Sequence, residues 1–283
     1  MKALVTGGAG FIGTNLILQL KKLNYTIVSL DNYSSGKKDN EILGVKYIQS
    51  DIEDIDSIKT NFDICFHLAA QSRVTPSFKN PEESFRVNSS GTRKVMEWAM
   101  VNGIKVIYAG SASRHQDVLT SPYALSKFMG EEICMLYRRH FGVDVEITRF
   151  YNVYGPNEII NESYGNVIGI WLDRLSKGLP LCIIGDGEQK RDFIHVSDIV
   201  DALIKISKTD LKNDNGWELG LGKSISINQL FHIFKNKFNV NCNYLPDRPG
   251  NFKFAYRKKD KMLKKINWKP KDRIIDHINN IEI

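Results

Sequence analysis

The alternation of strand-like and helix-like segments through the first 155 residues is the feature that most limits what this chain can fold into. Strand patterns lie at 2–7, 26–31, 46–51, 64–70, 105–111 and 145–155, and helix patterns lie at 14–23, at 89–103 and from Ser121 to about Gly142. The run ICFHLAA (64–70) is continuously apolar, which is typical of a strand buried on both faces. Such alternation predicts an α/β fold with a doubly wound parallel sheet of the Rossmann type.

A glycine-rich segment, GGAGFIG (7–13), lies between the first strand pattern and the first helix pattern. Its glycines Gly7, Gly10 and Gly13 allow a tight turn, close approach of the backbone to a pyrophosphate, and close packing of helix against strand. The helix N-terminus adds N–H groups and the positive end of the helix dipole. Asp31, at the end of the second strand, would accept hydrogen bonds from ribose hydroxyls and repel a 2′-phosphate. The sequence therefore predicts NAD rather than NADP as the cofactor.

A tyrosine and a lysine stand four positions apart in SPYALSK (121–127), so they share one helix face. The serine and proline are the ordinary start of a helix and do not require either residue. A lysine ammonium near Tyr123 is expected to lower its pKa from about 10, and a bound oxidised nicotinamide would add a second positive charge, so that Tyr123 would act as a base near neutral pH. Ser111, at the end of the fifth strand, would hold the reacting hydroxyl. Tyr-x-x-x-Lys alone is mostly surface decoration, but together with the glycine loop and Ser111 it predicts proton transfer.

The regular alternation loosens after Gly155. A helix pattern at 166–177, a strand pattern at 181–186 and helix patterns at 197–207 and 226–238 follow. Because single cores stop growing beyond about 250–300 residues, the 283-residue chain is expected to form two lobes. We predict an NAD-binding domain over 1–155 that includes the Tyr123 helix, and a smaller C-terminal α/β substrate lobe over 156–283 that leaves room for segments returning to the first domain.

The chain is basic, with a formal net charge of +7. That balance suits nucleic acid, a small anionic ligand such as a nucleotide, or simply a solvated surface. Nucleic-acid binding would rest on net charge alone and is not predicted. The densest basic run, RKKDKMLKK (257–265), contains an acid and apolar residues at helical spacing, so it is predicted to form an amphipathic surface helix.

The sequence gives no sign of a metal site, a disulfide framework or a membrane segment. Its four cysteines are scattered without a CxxC pair, and its six histidines form no HExxH motif. No apolar run approaches the roughly 20 residues that span a bilayer, and the first strand is too short for a signal-peptide core. We therefore expect a cytoplasmic protein with no metal and no membrane partner.

These motifs resemble those of the extended short-chain dehydrogenases/reductases, specifically the NAD-dependent nucleotide-sugar epimerases and dehydratases. The resemblance covers nearly the whole chain. It rests on GGAGFIG (7–13), LDN (30–32), DI (51–52), HLAAQ (67–71), SAS (111–113), YALSK (123–127), RFYNVYGP (149–156), RDFIHVSDIVDAL (191–203), RPGN (248–251) and DKMLKKINWKPK (260–271).

The resemblance implies a role for each matching residue. Ser111, Tyr123 and Lys127 would be the catalytic trio. The cofactor site would comprise Gly7, Gly10, Phe11, Ile12, Gly13, Asp31, Asn32, Asp51, Ile52, Leu68, Ala69, Ala70, Asn88, Tyr123, Lys127 and Tyr151, with Asp51 and Ile52 at the adenine and Tyr151 beside the nicotinamide. The nucleotide-sugar site would comprise Ser113, Asn152, Arg191, Arg248 and Ala255, with the amide and the two guanidiniums on the pyrophosphate. A homodimer through the helices after strands four and five is also implied.

The resemblance favours 4-epimerisation. Family members that eliminate water carry a Thr–Asp–Glu-like motif where this chain has Ser111, Ala112 and Ser113, so no carboxylate is available for elimination. Tyr123 would take the O4 proton as a hydride passes from C4 to NAD, and the 4-keto sugar would turn over before the hydride returns. Ala255 falls where 4-epimerases carry a residue that limits the C2 substituent, which favours UDP-N-acetylglucosamine and UDP-N-acetylgalactosamine while leaving UDP-glucose and UDP-galactose open.

Several residues depart from the family pattern, so other substrates and other functions remain alternatives. Eleven residues separate Ser111 from Tyr123, fewer than usual, and Arg114 and His115 replace a Val–Tyr–Gly that borders the sugar. A different hexose, a heptose or another nucleotide therefore remains an alternative, as does substrate contact by Arg114 and His115. Rival functions are a nucleotide-sugar 4-reductase or dehydrogenase, a 4,6-dehydratase acting on a GDP-, dTDP- or CDP-sugar, and a non-catalytic NAD-binding regulator, which the Tyr123–Lys127 pair disfavours.

Overall fold

The protein is built around one large parallel sheet. The computed structural model describes residues 1–59, 61–162, 164–247 and 252–282. Its strands are β1 (Lys2–Thr6), β2 (Thr26–Asp31), β3 (Lys46–Gln49), β4 (Ile64–His67), β5 (Lys105–Ser111), β6 (Val145–Phe150), β7 (Asn152–Tyr154), β8 (Leu181–Ile184), β9 (Lys190–His195), β10 (Trp217–Leu219), β11 (Ser224–Ser226) and β12 (Cys242–Leu245). Within these described ranges, seven strands form the large sheet in the order β10-β6-β5-β4-β1-β2-β3.

Every neighbouring pair of strands in the large sheet is parallel. The chain moves outward from β1 to β2 and β3, and then returns to the other side of β1 to add β4, β5 and β6. Open α/β sheets bind their ligands beyond the carboxyl ends of the strands at such a reversal. The doubly wound sheet that the sequence predicts is confirmed, and it places a ligand site beyond β1.

Helices cover both faces of the large sheet. The helices of the described residues are α1 (Phe11–Lys22), α2 (Val74–Lys79), α3 (Pro81–Phe85), α4 (Thr92–Asn102), α5 (Pro122–Phe141), α6 (Val167–Ser176), α7 (Val196–Ser207), α8 (Ile227–Phe238), α9 (Met262–Lys265) and α10 (Ile274–Asn279). Of these, α1 and α7 lie on one face of the large sheet, and α4 and α5 lie on the other. Successive side chains of β1 point to opposite faces of the sheet. Val5 packs in the apolar cluster that includes α1 and α7, and Leu4 packs in the cluster that includes α4 and α5. Burial on both faces explains why these strands read as continuous apolar runs.

A smaller layer packs beyond the carboxyl ends of the large sheet. It contains the sheet β11-β9-β7 and the parallel pair β12-β8. The helices α6, α8 and α10 contribute to a third apolar cluster, in which the rings of Trp171 and Phe234 lie 5.1 Å apart. The division at residue 155 stays a prediction, and the chain after it enters both layers: α7 packs beside α1, and β10 extends the large sheet at β6.

The predicted strand over 145–155 is wrong as a single element. β6 ends at Phe150, and β7 pairs with β9 in the smaller sheet. The chain changes sheets at Tyr151, whose hydroxyl donates a hydrogen bond to Glu218 at 2.7 Å. Glu218 lies on β10, so a contact between residues 67 positions apart fixes the break. The predicted strand over 64–70 is also shorter, because β4 ends at His67.

The predicted amphipathic helix over 257–265 is likewise wrong for most of its length, since only α9 (Met262–Lys265) is helical. The backbone N–H of Arg257 donates to Asp192 at 2.8 Å, and that of Lys258 donates to the Tyr151 hydroxyl at 3.2 Å. These tertiary hydrogen bonds hold the segment before α9 against Asp192 and Tyr151.

The described residues contain no membrane-spanning helix and no candidate metal site. No helix there is long and apolar enough to cross a bilayer. No group of three or more His, Cys, Asp and Glu side chains in the same part of the chain is placed to hold a metal ion. The four cysteines are free thiols.

A buried ion network joins β6, α5 and β10. Arg149 on β6 donates to Glu131 on α5 and, at 2.6 Å, to Glu218 on β10. The side chains of all three residues are at least nine-tenths buried. His115 adds a 2.8 Å contact to Glu218, and Arg114 adds one of 3.2 Å to Glu131. The network fixes the edge of the sheet from which Tyr151 leaves.

Removing the guanidinium at the centre of this network should destabilise the fold. Arg149→Met is expected to lower the free energy of unfolding by about 3 kcal/mol, because two buried carboxylates lose a partner. Urea denaturation measures this change. Arg93→Met, which breaks an exposed pair with Glu97, is the matched control and should cost less than about 1 kcal/mol. An equally small loss in Arg149→Met would contradict the structural role of the network.

Candidate active site

A cavity of about 670 Å³ opens at the carboxyl ends of the central strands. The lining includes Asp31 at the end of β2, Leu68 after β4, Ser111 at the end of β5 and Tyr151 after β6. The smaller layer closes the other side with Arg191. The cavity therefore lies where the reversal of strand order places a ligand site.

Most of the residues predicted for the site line this one cavity. They are Gly7, Gly10, Phe11, Ile12, Gly13, Asp31, Asn32, Ile52, Leu68, Ala69, Ala70, Ser111, Ser113, Tyr123, Lys127, Tyr151, Asn152, Arg191 and Ala255. Asp51 and Asn88 lie outside its lining, and Arg248 lies outside the described residues. The individual roles assigned to these residues stay predictions.

The glycine loop between β1 and α1 fits a dinucleotide. Gly7 has a φ of 72°, and a Cβ on it would lie 2.8 Å from the backbone nitrogen of Ala69. A Cβ on Gly13 would lie 2.1 Å from the Gly7 carbonyl oxygen, so α1 packs against the turn only because this residue has no side chain. Gly10 precedes α1 and supplies no side-chain cap, which leaves the first N–H groups of the helix to donate hydrogen bonds to phosphate oxygens.

Asp31 is held in place by the same loop. One carboxylate oxygen accepts the N–H of Ala9 at 2.8 Å, and the other accepts the N–H of Tyr33 at 2.8 Å. Burial raises the pKa of Asp31, and the two N–H bonds act in the opposite direction. Its remaining lone pairs suit the hydroxyls of a ribose, which fits the predicted preference for NAD.

Asp51 is committed to a cluster beside the cavity. Arg86 donates to both of its carboxylate oxygens, at 2.8 and 3.0 Å, and Asn32 donates to it at 3.0 Å. These hydrogen bonds from Arg86 hold the pKa of Asp51 well below its usual range. Ile52, rather than Asp51, lines the cavity, so the cluster fixes the backbone around the predicted adenine subsite.

The proposed catalytic trio is assembled from β5 and α5. α5 begins with the Ser121 side chain capping the Ala124 N–H at 3.1 Å, which sets the helix orientation. The Tyr123 hydroxyl donates to Ser111 Oγ at 3.2 Å, and the Ser113 hydroxyl donates to the same oxygen at 2.9 Å. Three hydroxyl groups therefore meet at the cavity wall.

Lys127 lies one turn further along α5 and is buried. Its ammonium donates to the carbonyl oxygen of Ala109 at 2.6 Å and lies 4.6 Å from the ring centroid of Tyr108. Burial lowers the pKa of Lys127 to about 8, since a charged group is disfavoured away from water.

The expectation that Lys127 lowers the pKa of Tyr123 is wrong for the protein by itself. Burial raises the pKa of Tyr123, while its hydrogen bond with Ser111 and the positive charge of Arg73 act in the opposite direction. Burial dominates because the phenolate would have to form in a poorly solvated wall.

Asn88 supports the cavity from behind. Its side-chain oxygen accepts the N–H of Gln71 at 2.9 Å, and its amide donates to the Gln71 carbonyl at 2.9 Å and to Ser126 at 3.0 Å. Asn88 thus ties the loop after β4 to α5. The role that the geometry supports is positioning of this loop.

The substrate side of the cavity presents Asn152, Arg191 and Ala255. The Arg191 guanidinium lies 4.2 Å from the ring centroid of Phe252, and burial lowers its pKa to about 10. Ala255 is buried and its N–H donates to Lys190 at 3.1 Å, so its small side chain forms part of the wall.

Arg114 and His115 do not line the cavity. Arg114 pairs with Glu132 at 2.6 Å, and His115 contacts Glu218 at 2.8 Å. Both residues also contact the buried ion network, through Glu131 and Glu218, so the geometry gives them a structural role.

Arg73 is a cavity residue that the sequence analysis misses. It follows β4 by six positions, in a loop at the carboxyl end of a central strand. The tendency of ligands to bind at these ends is the signal that points to it. No local pattern in QSRV distinguishes Arg73 from a surface arginine.

Comparison with known proteins agrees with this geometry. The model of the NAD dependent epimerase/dehydratase family matches residues 3–220. A Methanocaldococcus jannaschii protein provisionally named a UDP-glucose 4-epimerase is 34% identical over 288 residues, which cover 94% of this chain and 92% of that protein.

Solved structures give the same result. The UDP-glucose 4-epimerase of Thermotoga maritima, solved with UDP-glucose, superposes with a TM-score of 0.91 at 29% identity, covering 99% of this chain and 96% of that one. The UDP-N-acetylglucosamine 4-epimerase of Methanobrevibacter ruminantium gives 0.89 at 30% identity, covering 98% and 96%. With its glycine loop, its Ser111–Tyr123–Lys127 cluster and these likenesses over nearly its full length, the chain belongs to the NAD-dependent epimerase/dehydratase family.

Proposed function

We propose that this protein is a nucleotide-sugar 4-epimerase that acts on UDP-hexoses through a transient 4-keto intermediate. The observation that carries the proposal is the 3.2 Å hydrogen bond between Tyr123 and Ser111 in the cavity that also contains the glycine loop. A base, a hydroxyl to orient the substrate and a cofactor site therefore face one enclosed space. The similarity to 4-epimerases supports the same assignment.

In this proposal Tyr123 would first lose its phenolic proton to solvent, because the positive charge of an oxidised nicotinamide would stabilise the phenolate. The phenolate would then take the proton from the sugar O4. Ser111 Oγ already accepts hydrogen bonds from Tyr123 and Ser113, so a substrate hydroxyl could enter the cluster by exchanging with one of them. NAD supplies the acceptor for the hydride that leaves C4. After the 4-keto sugar has turned over, Tyr123 returns the proton to O4 as the hydride returns to the other face of C4.

The loop between β5 and α5 favours this outcome over dehydration. Ser111, Ala112 and Ser113 line the cavity, and no described carboxylate between Ser111 and Tyr123 does so. Elimination of water across C5 and C6 needs a general acid and base at the sugar, which this wall does not supply. Asp117, the acidic residue of the loop, caps the N–H of Leu119 at 3.0 Å.

A screen of UDP-, GDP-, dTDP- and CDP-sugars with product analysis by NMR tests the proposal. A 4-epimer formed without lasting change in the absorbance of reduced cofactor would support it. Net oxidation or reduction would identify a dehydrogenase or reductase, and a 4-keto-6-deoxy product would identify a dehydratase. Cofactor binding without turnover of any sugar nucleotide would favour a regulatory protein.

We also infer a homodimer formed through α4 and α5. The outer faces of these adjacent helices expose large apolar side chains, which is unusual unless they meet a partner. They are Met100, Val101, Met129, Leu136 and Phe141. Light scattering is expected to give twice the mass of one chain, and Val101→Glu should shift the protein towards a monomer. A monomeric wild-type protein would reject this assignment.

Loss of the phenolic hydroxyl should abolish most of the catalysis while leaving the cofactor bound. Tyr123→Phe is expected to reduce kcat about 10²- to 10⁴-fold, the usual effect of a general acid–base group, with NAD affinity nearly unchanged. Steady-state kinetics and fluorescence titration with NAD measure the two effects. Tyr137→Phe is the matched control, because Tyr137 lies on the same helix and bonds to Glu97 at 3.2 Å. Near-normal turnover by Tyr123→Phe would reject its role.

The small side chain at position 255 should set tolerance for a C2 acetamido group. Ala255→Tyr is expected to lower kcat/KM for UDP-N-acetylglucosamine at least about tenfold, because the larger side chain occupies the wall of the cavity. UDP-glucose, which has a hydroxyl at C2, is the internal control and should be affected much less. A parallel loss on both substrates would contradict the assignment of Ala255 to the C2 subsite.

A further inference from the structure

Arg73 places a guanidinium in the cavity wall close to the reacting end. It lies in the loop that follows β4, and it lines the cavity together with Ser111 and Tyr123. Its positive charge acts against burial, which raises the pKa of Tyr123. Nε donates to the carbonyl oxygen of Tyr164 at 2.6 Å, which fixes the side chain across the two walls.

The rest of this guanidinium is not committed to an anion. Nη1 donates to the Ser72 carbonyl at 3.4 Å, a long contact, and Nη2 has no partner among the described residues. In the same part of the chain, Arg73 forms no ion pair with a carboxylate. Nη2 is therefore available to a ligand, and Nη1 is held only by the long contact to Ser72.

Other cations of the cavity already have protein partners. Arg174 pairs with Glu162 at 2.6 Å, and Lys127 donates to the Ala109 carbonyl. Arg191 stacks on Phe252 in the substrate side. Arg73 differs from these residues because it lines the cavity, its positive charge acts on Tyr123, and its Nη2 has no partner among the described residues.

Burial makes an unpaired charge at this position costly. Arg73 is half-buried, and burial lowers its pKa, while the negative charges of a Tyr123 phenolate and of Glu158 act in the opposite direction. Partly desolvated cations are stabilised when an anion completes their hydrogen bonds. An oxidised nicotinamide would add positive charge to the same region, which strengthens the need for an anion.

Glu158 does not fill this need. Only 5% of its side chain is exposed, and neither carboxylate oxygen has a hydrogen-bond partner among the described residues. The closest charged group is His277, whose Nε2 lies 3.8 Å from a carboxylate oxygen. Glu158 is therefore directed towards α10 and not bonded to the guanidinium of Arg73.

We propose that Arg73 binds a carboxylate on the sugar, so that the preferred substrates are nucleotide-linked hexuronic acids. This inference rests on the proposed 4-epimerase function and narrows its substrate class. An arginine fork matches the two oxygens of a carboxylate in one plane and holds them more specifically than a hydroxyl. Ala255 leaves room at C2, so hexuronic acids with either a hydroxyl or an acetamido group at C2 fit the site.

Equilibrium binding separates a sugar carboxylate from a diphosphate as the partner of Arg73. We use NAD-loaded protein carrying Tyr123→Phe, so that no turnover occurs, and titrate it with UDP, UDP-glucose and UDP-glucuronate by calorimetry. UDP-glucuronate is expected to bind at least about tenfold more tightly than UDP-glucose. Adding Arg73→Gln should remove this difference and leave the affinity for UDP unchanged. An equal loss for all three ligands would assign Arg73 to the diphosphate and overturn the proposal.

Two further variants control for damage to the fold. Arg73→Lys keeps the charge without the planar fork and should retain part of the preference for UDP-glucuronate. Arg93→Gln, at the exposed ion pair with Glu97 on α4, should leave all three affinities unchanged. Arg73→Gln and Arg73→Lys could lose NAD binding or unfold at a lower temperature. In that case the titrations of the Tyr123→Phe protein with Arg73 intact still test the proposal, because equal affinities for UDP-glucuronate and UDP-glucose would overturn it.

Turnover distinguishes this inference from the function on which it rests. With the wild-type protein, kcat/KM for 4-epimerisation should be at least about tenfold higher for UDP-glucuronate than for UDP-glucose. Epimerisation of neutral sugars without a preference for the acid would reject the inference and keep the proposed function. A preference for UDP-glucuronate in binding without epimerisation of any sugar would reject the proposed function and keep the role of Arg73 as a carboxylate ligand.

Discussion

The parallel direction of the strands in the large sheet is the constraint on which the site depends. Because every neighbouring pair runs the same way, the loops after β1, β2, β4, β5 and β6 all emerge at one edge. Asp31, Ser111 and Tyr151, which are far apart in the chain, line one cavity for this reason. The reversal of strand order at β1 then leaves a gap between α1 and the helices of the opposite face, into which a long ligand can extend.

Buried polar contacts turn these loops into fixed walls. Asn88 bonds both backbone groups of Gln71 and so holds the loop after β4 against α5. Arg149 and Glu218 hold the point at which the chain leaves β6, and Tyr151 bonds to the same glutamate. A partly satisfied network would cost stability in such a position, because buried polar groups are expensive when unpaired. The residues that do no chemistry therefore determine where the reacting groups lie.

Local patterns predict the elements whose hydrogen bonds are local. β5 spans Lys105–Ser111, the range of its apolar run, and α5 begins after the Ser121 cap and ends before Gly142, whose φ is 68°. The break at Tyr151 and the loss of helix at 257–261 depend instead on Glu218 and Asp192, which are distant in sequence. The sequence also does not predict that Arg73 lines the cavity or that burial dominates the pKa of Tyr123, because both depend on residues that are distant in sequence. Motifs identify which residue types lie at strand ends. The pKa of each group depends instead on the burial and the neighbouring charges that the folded cavity wall provides.

That charge balance suggests how proton and hydride movements remain coupled. Burial raises the pKa of Tyr123 and lowers that of Lys127 to about 8, because it disfavours whichever form is charged. An enclosed wall alone is therefore a poor place for a phenolate, and nearby positive charge has to stabilise it. Tyr123 would feel such a charge from an oxidised nicotinamide and would lose it once the hydride has been transferred. Under the proposed 4-epimerase function, the phenol would then hold its proton while the 4-keto sugar turns over, and it would become acidic again when the hydride has returned. Tyr123 needs no additional base in this scheme, because the same local charge that favours oxidation of the sugar also sets the direction of proton transfer.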